Sequence, residues 1–532
     1  MTTEHRQVVI VGTGPTGMTA ASLLGRHDID CLVLDRWDDI FPQPRAVHLD
    51  DEVHRIVADL GLTDEFSAIS RPGAGLRLVD KTLRTIAEFR RDPNVKPHGF
   101  PPANMFDQPQ FEAILRAHML RYASVEFRGG CDVLDVSNTR DRVRVDYLDR
   151  DTGLRRAVTA DYVLGCDGAN SAVRAAIGST MQELGFEQRW LVVDVATADD
   201  LHQWEGTHQV CDSARAATYM RIGDTRYRWE FRLHDDETAA DFATLDALSP
   251  LLSPWLPAAD TPDLQLLRTA EYTFRAQIVD RWRERRVFLL GDAAHLTPPF
   301  IGQGLGAGLR DAKNLVWKLA GVLQGVLDVN TLDTYETERK PHVRAMIGLA
   351  VTIGRAMTGG GPASDTLRRH LVPVLVRMPG FSATVTDSAT PRLCRSTFVR
   401  RPALATRCLA GTLCPNAVLD TGGRLDDVAP DTFLIVSTVE ASPGQRREIT
   451  RRGGVIIEVA PTSALGRWLR RGRAAAAIVR PDRTVMATAG SLASLYTLLP
   501  TTIAPRPSLD TAGPDTASLS EPARQLADRS LP

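Results

Sequence analysis

No run in the 532-residue chain approaches the ~18 uninterrupted apolar residues of a membrane-crossing helix, so no span is expected. An excess of charge of either sign is also missing. Lysine and arginine number 63 against 65 aspartates and glutamates, and the net charge of -2 argues against a nucleic-acid or membrane-surface partner. Cysteine is sparse. Cys31, Cys131, Cys166, Cys211, Cys394, Cys408 and Cys414 are scattered and odd in number, with no CxxC pair and no His-rich metal spacing. A disulfide framework and a metal site are therefore not expected, and reduced thiols in a cytoplasmic protein are. The first apolar stretch, Val8 to Val11, is too short for the core of an export signal and runs straight into a glycine motif. What remains, 43% apolar and 24% charged residues, is ordinary globular material long enough for two or three domains.

The glycine motif comes first in the chain. Gln7 to Arg36 reads as strand, Gly12-x-Gly14-x-x-Gly17, helix, and a second strand, Cys31 to Leu34, ending in Asp35 and Arg36. Gly12 allows the tight turn, Gly14 lets backbone approach a pyrophosphate, and Gly17 permits close helix–strand packing. Asp35, 18 residues beyond Gly17, can accept from ribose hydroxyls. Gly12, Gly14, Pro15, Gly17, Asp35 and Arg36 are thus candidate dinucleotide contacts. An α/β unit with incidental glycines is the alternative.

A second constellation lies at Arg286 to Gly308, RVFLLGDAAHLTPPFIGQGLGAG. It reads as a buried strand, a Gly291-Asp292 turn, a Pro298-Pro299 bend and a glycine-rich loop opening onto a helix. An acid after an apolar strand offers an acceptor for sugar-like hydroxyls, and amides at a helix N-terminus favour an anion. That pair suits a flavin, with Asp292 toward the ribityl chain and the Gly302-Gln303-Gly304-Leu305 amides toward the N1/C2 edge of the ring. Gly291 and Pro299 are candidate contacts in the same stretch. Glycines that merely allow tight packing are the alternative.

Between these motifs, Ala160 to Arg174 repeats the pattern of apolar strand, Asp167-Gly168 turn and helix, with Ser171 and Arg174 in the next turn. Arg45 and His48 precede a helix expected to start near Asp50. Gln108 lies near the N-terminal end of an amphipathic helix carrying Ile114, Leu115, Met119 and Leu120. It can bond a cofactor or cap the helix. From roughly 180 to 273 the texture turns to β. In Arg226 to Leu233, Tyr227, Trp229, Phe231 and Leu233 alternate with Arg226, Arg228, Glu230 and Arg232, the period of a half-buried strand. The aromatic face is a candidate substrate roof or an ordinary core. A helix over Leu332 to Arg344 is expected to be interrupted at Pro341, and Gly359 to Pro362 is a candidate domain boundary. Short strands at 432–436, 454–459 and 475–479 suggest a small C-terminal α/β domain, and the last ~30 residues read as a disordered tail.

With these residues in view the chain resembles the single-component FAD-dependent aromatic hydroxylases, the group A flavoprotein monooxygenases. Within them it is most similar to the 3-(3-hydroxyphenyl)propionate hydroxylases, through Pro44-Arg-Ala-Val-His48, Asp50-Asp-Glu52, Trp190-Leu-Val-Val-Asp194, GDAAH at 291–295 and GQG at 302–304. The resemblance implies an α/β fold. It has a Rossmann-type FAD-binding domain in two parts (1–180 and 276–360), an inserted β-sheet substrate domain (181–275), a thioredoxin-like domain (361–505) and a disordered tail (506–532). It also implies FAD held by Gly12, Gly14, Gly17, Asp35, Arg45, Gln108 and Asp292, with Asp167 serving both FAD and incoming NADH or NADPH. Two departures are an Asp at position 35, where Glu is commoner, and the small residues Leu-Gly-Ala-Gly after the GQG loop.

The implied reaction is O2- and NAD(P)H-dependent hydroxylation of a phenol ortho to its hydroxyl. The implied substrate is 3-(3-hydroxyphenyl)propionate or 3-hydroxycinnamate, in aromatic catabolism. A polycyclic or polyketide phenol is the nearest alternative, and a non-catalytic flavoprotein is a further one. A flavin halogenase is disfavoured because Trp-x-Trp-x-Ile-Pro is absent. His48 is the first candidate for the proton relay, since an unperturbed imidazole titrates near ~6.5, and Tyr227 is the second. A homodimer is the assembly to test.

Overall fold

The structure, a computed structural model, describes residues 4–41, 46–256, 262–359, 390–401, 408–428 and 431–500. Arg45, the 506–532 tail and residues 360–362 of the candidate boundary lie outside them.

Val8, Val9 and Ile10 are completely buried because layers cover both faces of the sheet that they centre. The strand Glu4–Val11 pairs in parallel with Cys31–Leu34 on one side and Leu154–Gly165 on the other. Val125–Arg128 and Val287–Leu289 extend the parallel sheet outward. The Gly12, Asp35, Asp167 and Gly291-Asp292 motifs all follow strands of this one sheet, which is why residues far apart in sequence meet at its carboxyl edge. Behind that edge the helix Gly304–Leu323 is buried along most of its length and packs against Pro15–Arg26.

A second, eight-stranded sheet is built on Met181–Ala196, paired with Arg226–Arg232 and with Gln265–Val279. The structure extends it beyond 181–275: Gly75–Val79 and Thr85–Arg90 join its far edge, and His295–Leu296 the other. The alternation of Arg226–Leu233 is realised with its aromatic face as an ordinary core and both faces largely buried. Tyr227, Trp229 and Phe231 pack with Leu248, Leu252 and Trp255 into a separate core on the outer face. The polar set faces inward.

Pro341 does not interrupt its helix, which runs unbroken over Thr334–Thr358. An interior proline costs about 3 kcal/mol, and packing outweighs it here. Tyr335 donates to the Leu289 carbonyl (2.8 Å), Arg339 pairs with Asp311 (2.8 Å), and Glu338 receives both Lys318 and Arg480 (2.9 Å each). Arg480 belongs to a C-terminal unit with a four-stranded sheet, ordered Gly454–Glu458, Phe433–Ser437, Ala476–Val479, Val485–Ala489. The first pair is parallel and the others antiparallel. Arg55 fastens this unit to the first domain through Asp426 (2.5 and 2.7 Å) and the Cys414 carbonyl (2.6 Å).

Candidate active site

One cavity of about 1040 Å³ runs from the Gly12–Thr16 turn to the inner face of the second sheet. At its first end Gly12 has φ +103, and a Cβ there would lie 2.4 Å from the Cys166 carbonyl oxygen. Gly17 is closed against the Gly12 carbonyl in the same way, whereas a Cβ on Gly14 would meet nothing within 4 Å. The turn is therefore clamped from behind and open in front, at the one glycine whose side chain would project into the cavity. The first bond within the following helix runs from Met18 N to the Gly14 carbonyl (3.1 Å), so the earlier amides lack an intrahelical acceptor. Asp35 braces the turn, its Oδ2 accepting from Thr13 N (2.6 Å) and Thr13 Oγ1 (2.7 Å) and its Oδ1 from Trp37 N (2.8 Å), which leaves one Oδ1 lone pair for a ribose hydroxyl.

At the middle, Asp167, Asp292, Pro299 and Gly302 to Leu305 line the cavity. Burial raises the Asp167 carboxyl although Ser171 Oγ donates to it at 2.5 Å. Gly291 supports the Asp292 turn from behind. Its amide donates to Asp311 (3.1 Å), which also receives His295 Nε2 (2.8 Å). The Gln303 side chain turns away from the cavity, donating to Asp50 (2.8 Å) and accepting from Arg310 (2.9 Å). The first bond in the next helix is Ala307 N to the Gln303 carbonyl (2.9 Å), leaving the Gly304 and Leu305 amides at an electropositive helix end. A clamped glycine cradle, two carboxylates lining the cavity at Asp35 and Asp292 and an open helix N-terminus fit FAD. Gln108 lines the same cavity but spends its amide on Ala46 N and Glu112 (2.6 Å each), tying the preceding loop to its helix.

His48 does line the cavity, but not as a base poised near neutrality. Arg91 Nη1 lies 3.3 Å from His48 Nε2. Arginine only donates, so Nε2 accepts and Nδ1 carries the proton toward the Gly302 carbonyl (3.4 Å). Burial, with Arg91 beside it, lowers the imidazole to about 4. A neutral His48 holds the Gly302 turn, whose φ is +61. Tyr227 is outside the cavity altogether: its hydroxyl donates to the Asp199 carbonyl (3.4 Å) within the outer core.

Sequence reasoning missed the far chamber. Phe274 and Phe300, braced by Trp190 at 5.7 Å from each, form its aromatic wall. Thr218, Arg228, Glu230 and Tyr272 form its polar end. Arg228 lies flat against Asp194 through two bonds (2.6 and 2.9 Å). Burial pushes the Glu230 carboxyl up to about 7, against the pull of Arg228. The alternation of Arg226 to Leu233 was the available signal, but it does not say which face meets solvent. Among the described residues no group of His, Cys, Asp and Glu could hold a metal, and no helix is long and apolar enough to cross a membrane.

A dinucleotide cradle continuous with a chamber under a mostly antiparallel sheet is the architecture of a flavoprotein monooxygenase. The chain belongs to the family described as "FAD binding domain", whose model matches residues 5–350, and FAD is its cofactor. It is 33% identical to a "Probable NADH-specific resorcinol 4-hydroxylase" of Rhodococcus jostii (strain RHA1), over 94% of this chain and 96% of that one. It is also 33% identical to a "3-(3-hydroxy-phenyl)propionate/3-hydroxycinnamic acid hydroxylase" of Mycolicibacterium gilvum (strain PYR-GCK), over 87% and 81%. Among solved structures, the flavin-dependent monooxygenase PieE with FAD and substrate superposes with a TM-score of 0.78 at 20% identity, covering 93% of this chain and 98% of its own. Aklavinone-11 hydroxylase with FAD and aklavinone gives 0.77 at 24%, covering 94% and 99%. At these identities the two structures establish the fold alone.

Proposed function

We propose that the protein hydroxylates a small phenol at the ring carbon ortho to its hydroxyl, using O2 and NADH or NADPH. The chain is an FAD-dependent aromatic hydroxylase, and the observation that supports this substrate class is the single cavity joining the FAD cradle to an aromatic chamber with a polar end. Bound FAD supplies hydride acceptance and O2 activation. The protein's residues do the rest. Gly12, Gly14, Pro15, Gly17, Asp35 and Arg36 hold the pyrophosphate and adenosine, Asp292 and Gln108 flank the ribityl region, and the Gly304 and Leu305 amides stabilise negative charge at the ring's N1/C2 edge. Phe274 and Phe300, set edge to face, wall the substrate ring on one side and exclude water. The hydroxylases of 3-(3-hydroxyphenyl)propionate, 3-hydroxycinnamate and resorcinol among the relatives make these three phenols the first substrates to test.

The C-terminal unit is read as thioredoxin-like, on a β-α-β segment followed by an antiparallel hairpin in one four-stranded sheet. It lacks a CxxC pair, so a packing role suits it. The functional test is NADH and NADPH oxidation by the FAD-loaded protein against a phenol panel. Acceleration by a phenol, with formation of a catechol-type product, is expected. No acceleration by any phenol would overturn the reading.

A further inference from the structure

The inner face of the second sheet carries a cluster of charged groups that the reaction outlined above does not use. Arg228, 1% exposed, is paired bidentately with Asp194 on the neighbouring strand, and Arg268 Nε stands 3.3 Å from the same carboxylate. Glu230 lies two residues along from Arg228, on the same face, opposite Val192 and Thr218. It is 7% exposed and lines the cavity. Its charged neighbours are Arg228, Asp194 and Arg268, and none of them is hydrogen-bonded to it. Tyr272 also lines this wall. A buried carboxylate without a donor is costly to keep, and is retained where a ligand supplies the donor.

We propose that Glu230 is a specificity-determining residue. Its carboxylate accepts a hydrogen bond from a second hydroxyl on the substrate ring, so the chamber selects an uncharged dihydroxyarene over a phenol bearing a carboxylate. Charge count carries the second half. Among the described residues two guanidinium groups, Arg228 and Arg268, face two carboxylates, Asp194 and Glu230, at this end of the chamber, so a substrate carboxylate would be a third buried anion beside Glu230. A hydroxyl brings the missing donor and no charge. The position of Glu230 near its own ionisation range is consistent with this, since a bound donor holds it in the ionised form.

This inference rests on the phenol-hydroxylase reading, and the test separates the two. The FAD-loaded wild type and Glu230→Gln are compared on resorcinol and on 3-(3-hydroxyphenyl)propionate, with kcat, KM and product measured for each. The wild type is expected to prefer resorcinol. Glu230→Gln should raise the resorcinol KM about tenfold or more while lowering that of the propionate, so the preference narrows or reverses. A parallel change on both substrates would mean a merely structural role and overturn the assignment. Should Glu230→Gln fail to hold FAD, Glu230→Asp decides: it keeps the charge, so discrimination against the propionate must survive, and its loss overturns the assignment. A wild type that hydroxylates neither arene defeats the functional reading itself. One that prefers the propionate defeats only the role of Glu230.

Discussion

Glu230→Gln should also stabilise the holoprotein, and more so as pH rises. The folded carboxyl is raised from 4.5 to about 7, mainly by burial, so between those values the folded state holds a proton that the unfolded chain has released. Stability therefore falls as pH rises through that window, and the full penalty is present above pH 7. A displacement of this size corresponds to about 3 kcal/mol in the ionised form, but to under ~1 kcal/mol at pH 5, which lies only about half a unit above the pKa of the unfolded chain. Gln has nearly the shape of the protonated acid and escapes the penalty. With an unfolding entropy of ~2.1 cal/mol/K per residue and a cooperative unit of roughly 350 residues, the midpoint should rise by about 4 °C at pH 8.5 and by about 1 °C at pH 5. Thermal unfolding of both proteins under saturating FAD, without substrate, measures it. Equal midpoints at pH 8.5, or a gain that is larger at pH 5, would refute the reasoning and mean that Glu230 is not a buried, unpaired carboxylate.

Gly14→Val should fold but purify colourless. Gly14 sits at φ -66, ψ 172, which valine tolerates, so a loss of FAD would come from the side chain filling the cradle; full flavin occupancy would remove the motif from the argument. His48→Ala removes a bond to the Gly302 carbonyl worth roughly 1 kcal/mol and should weaken FAD about fivefold. Because His48 is already neutral above about pH 4, coupling of NAD(P)H use to product should show no break near 6.5, and a break there that vanishes in His48→Ala would restore the relay role. Tyr227→Phe should leave KM and coupling within about twofold of wild type, because the hydroxyl bonds Asp199 in the outer core. A tenfold loss of coupling would return Tyr227 to the site.

The parts legible in the sequence are those where backbone geometry dictates residue type. Gly12 and Gly302 take positive φ, Gly17 closes against the Gly12 carbonyl, and Asp50 caps its helix by accepting from Val53 N (2.9 Å). The C-terminal strands Phe433–Ser437, Gly454–Glu458 and Ala476–Val479 fall within a residue or so of their apolar runs. The parts not legible depend on what lies across a layer. Period-two alternation identifies the Arg226–Arg232 strand but cannot tell a solvent face from a cavity face, so the aromatic side reads as either roof or core, and the structure makes it core while Arg228 and Glu230 do the lining. His48 shows the same limit: its ordinary pKa is a property of the residue, whereas burial beside Arg91 is a property of the fold. The strands Gly75–Val79 and Thr85–Arg90 cross into the second sheet through pairings that no local pattern announces.

The central claim, that this FAD protein places one atom of O2 on a phenol ring, is tested most directly with isotope. The FAD-loaded protein is given NADH or NADPH, resorcinol or 3-(3-hydroxyphenyl)propionate, and 18O2, and the product is examined by mass spectrometry. The account predicts a product with one added hydroxyl whose oxygen carries the label, formed in proportion to NAD(P)H consumed. NAD(P)H consumption that yields only hydrogen peroxide, or a hydroxylated product whose oxygen comes from water, would contradict it.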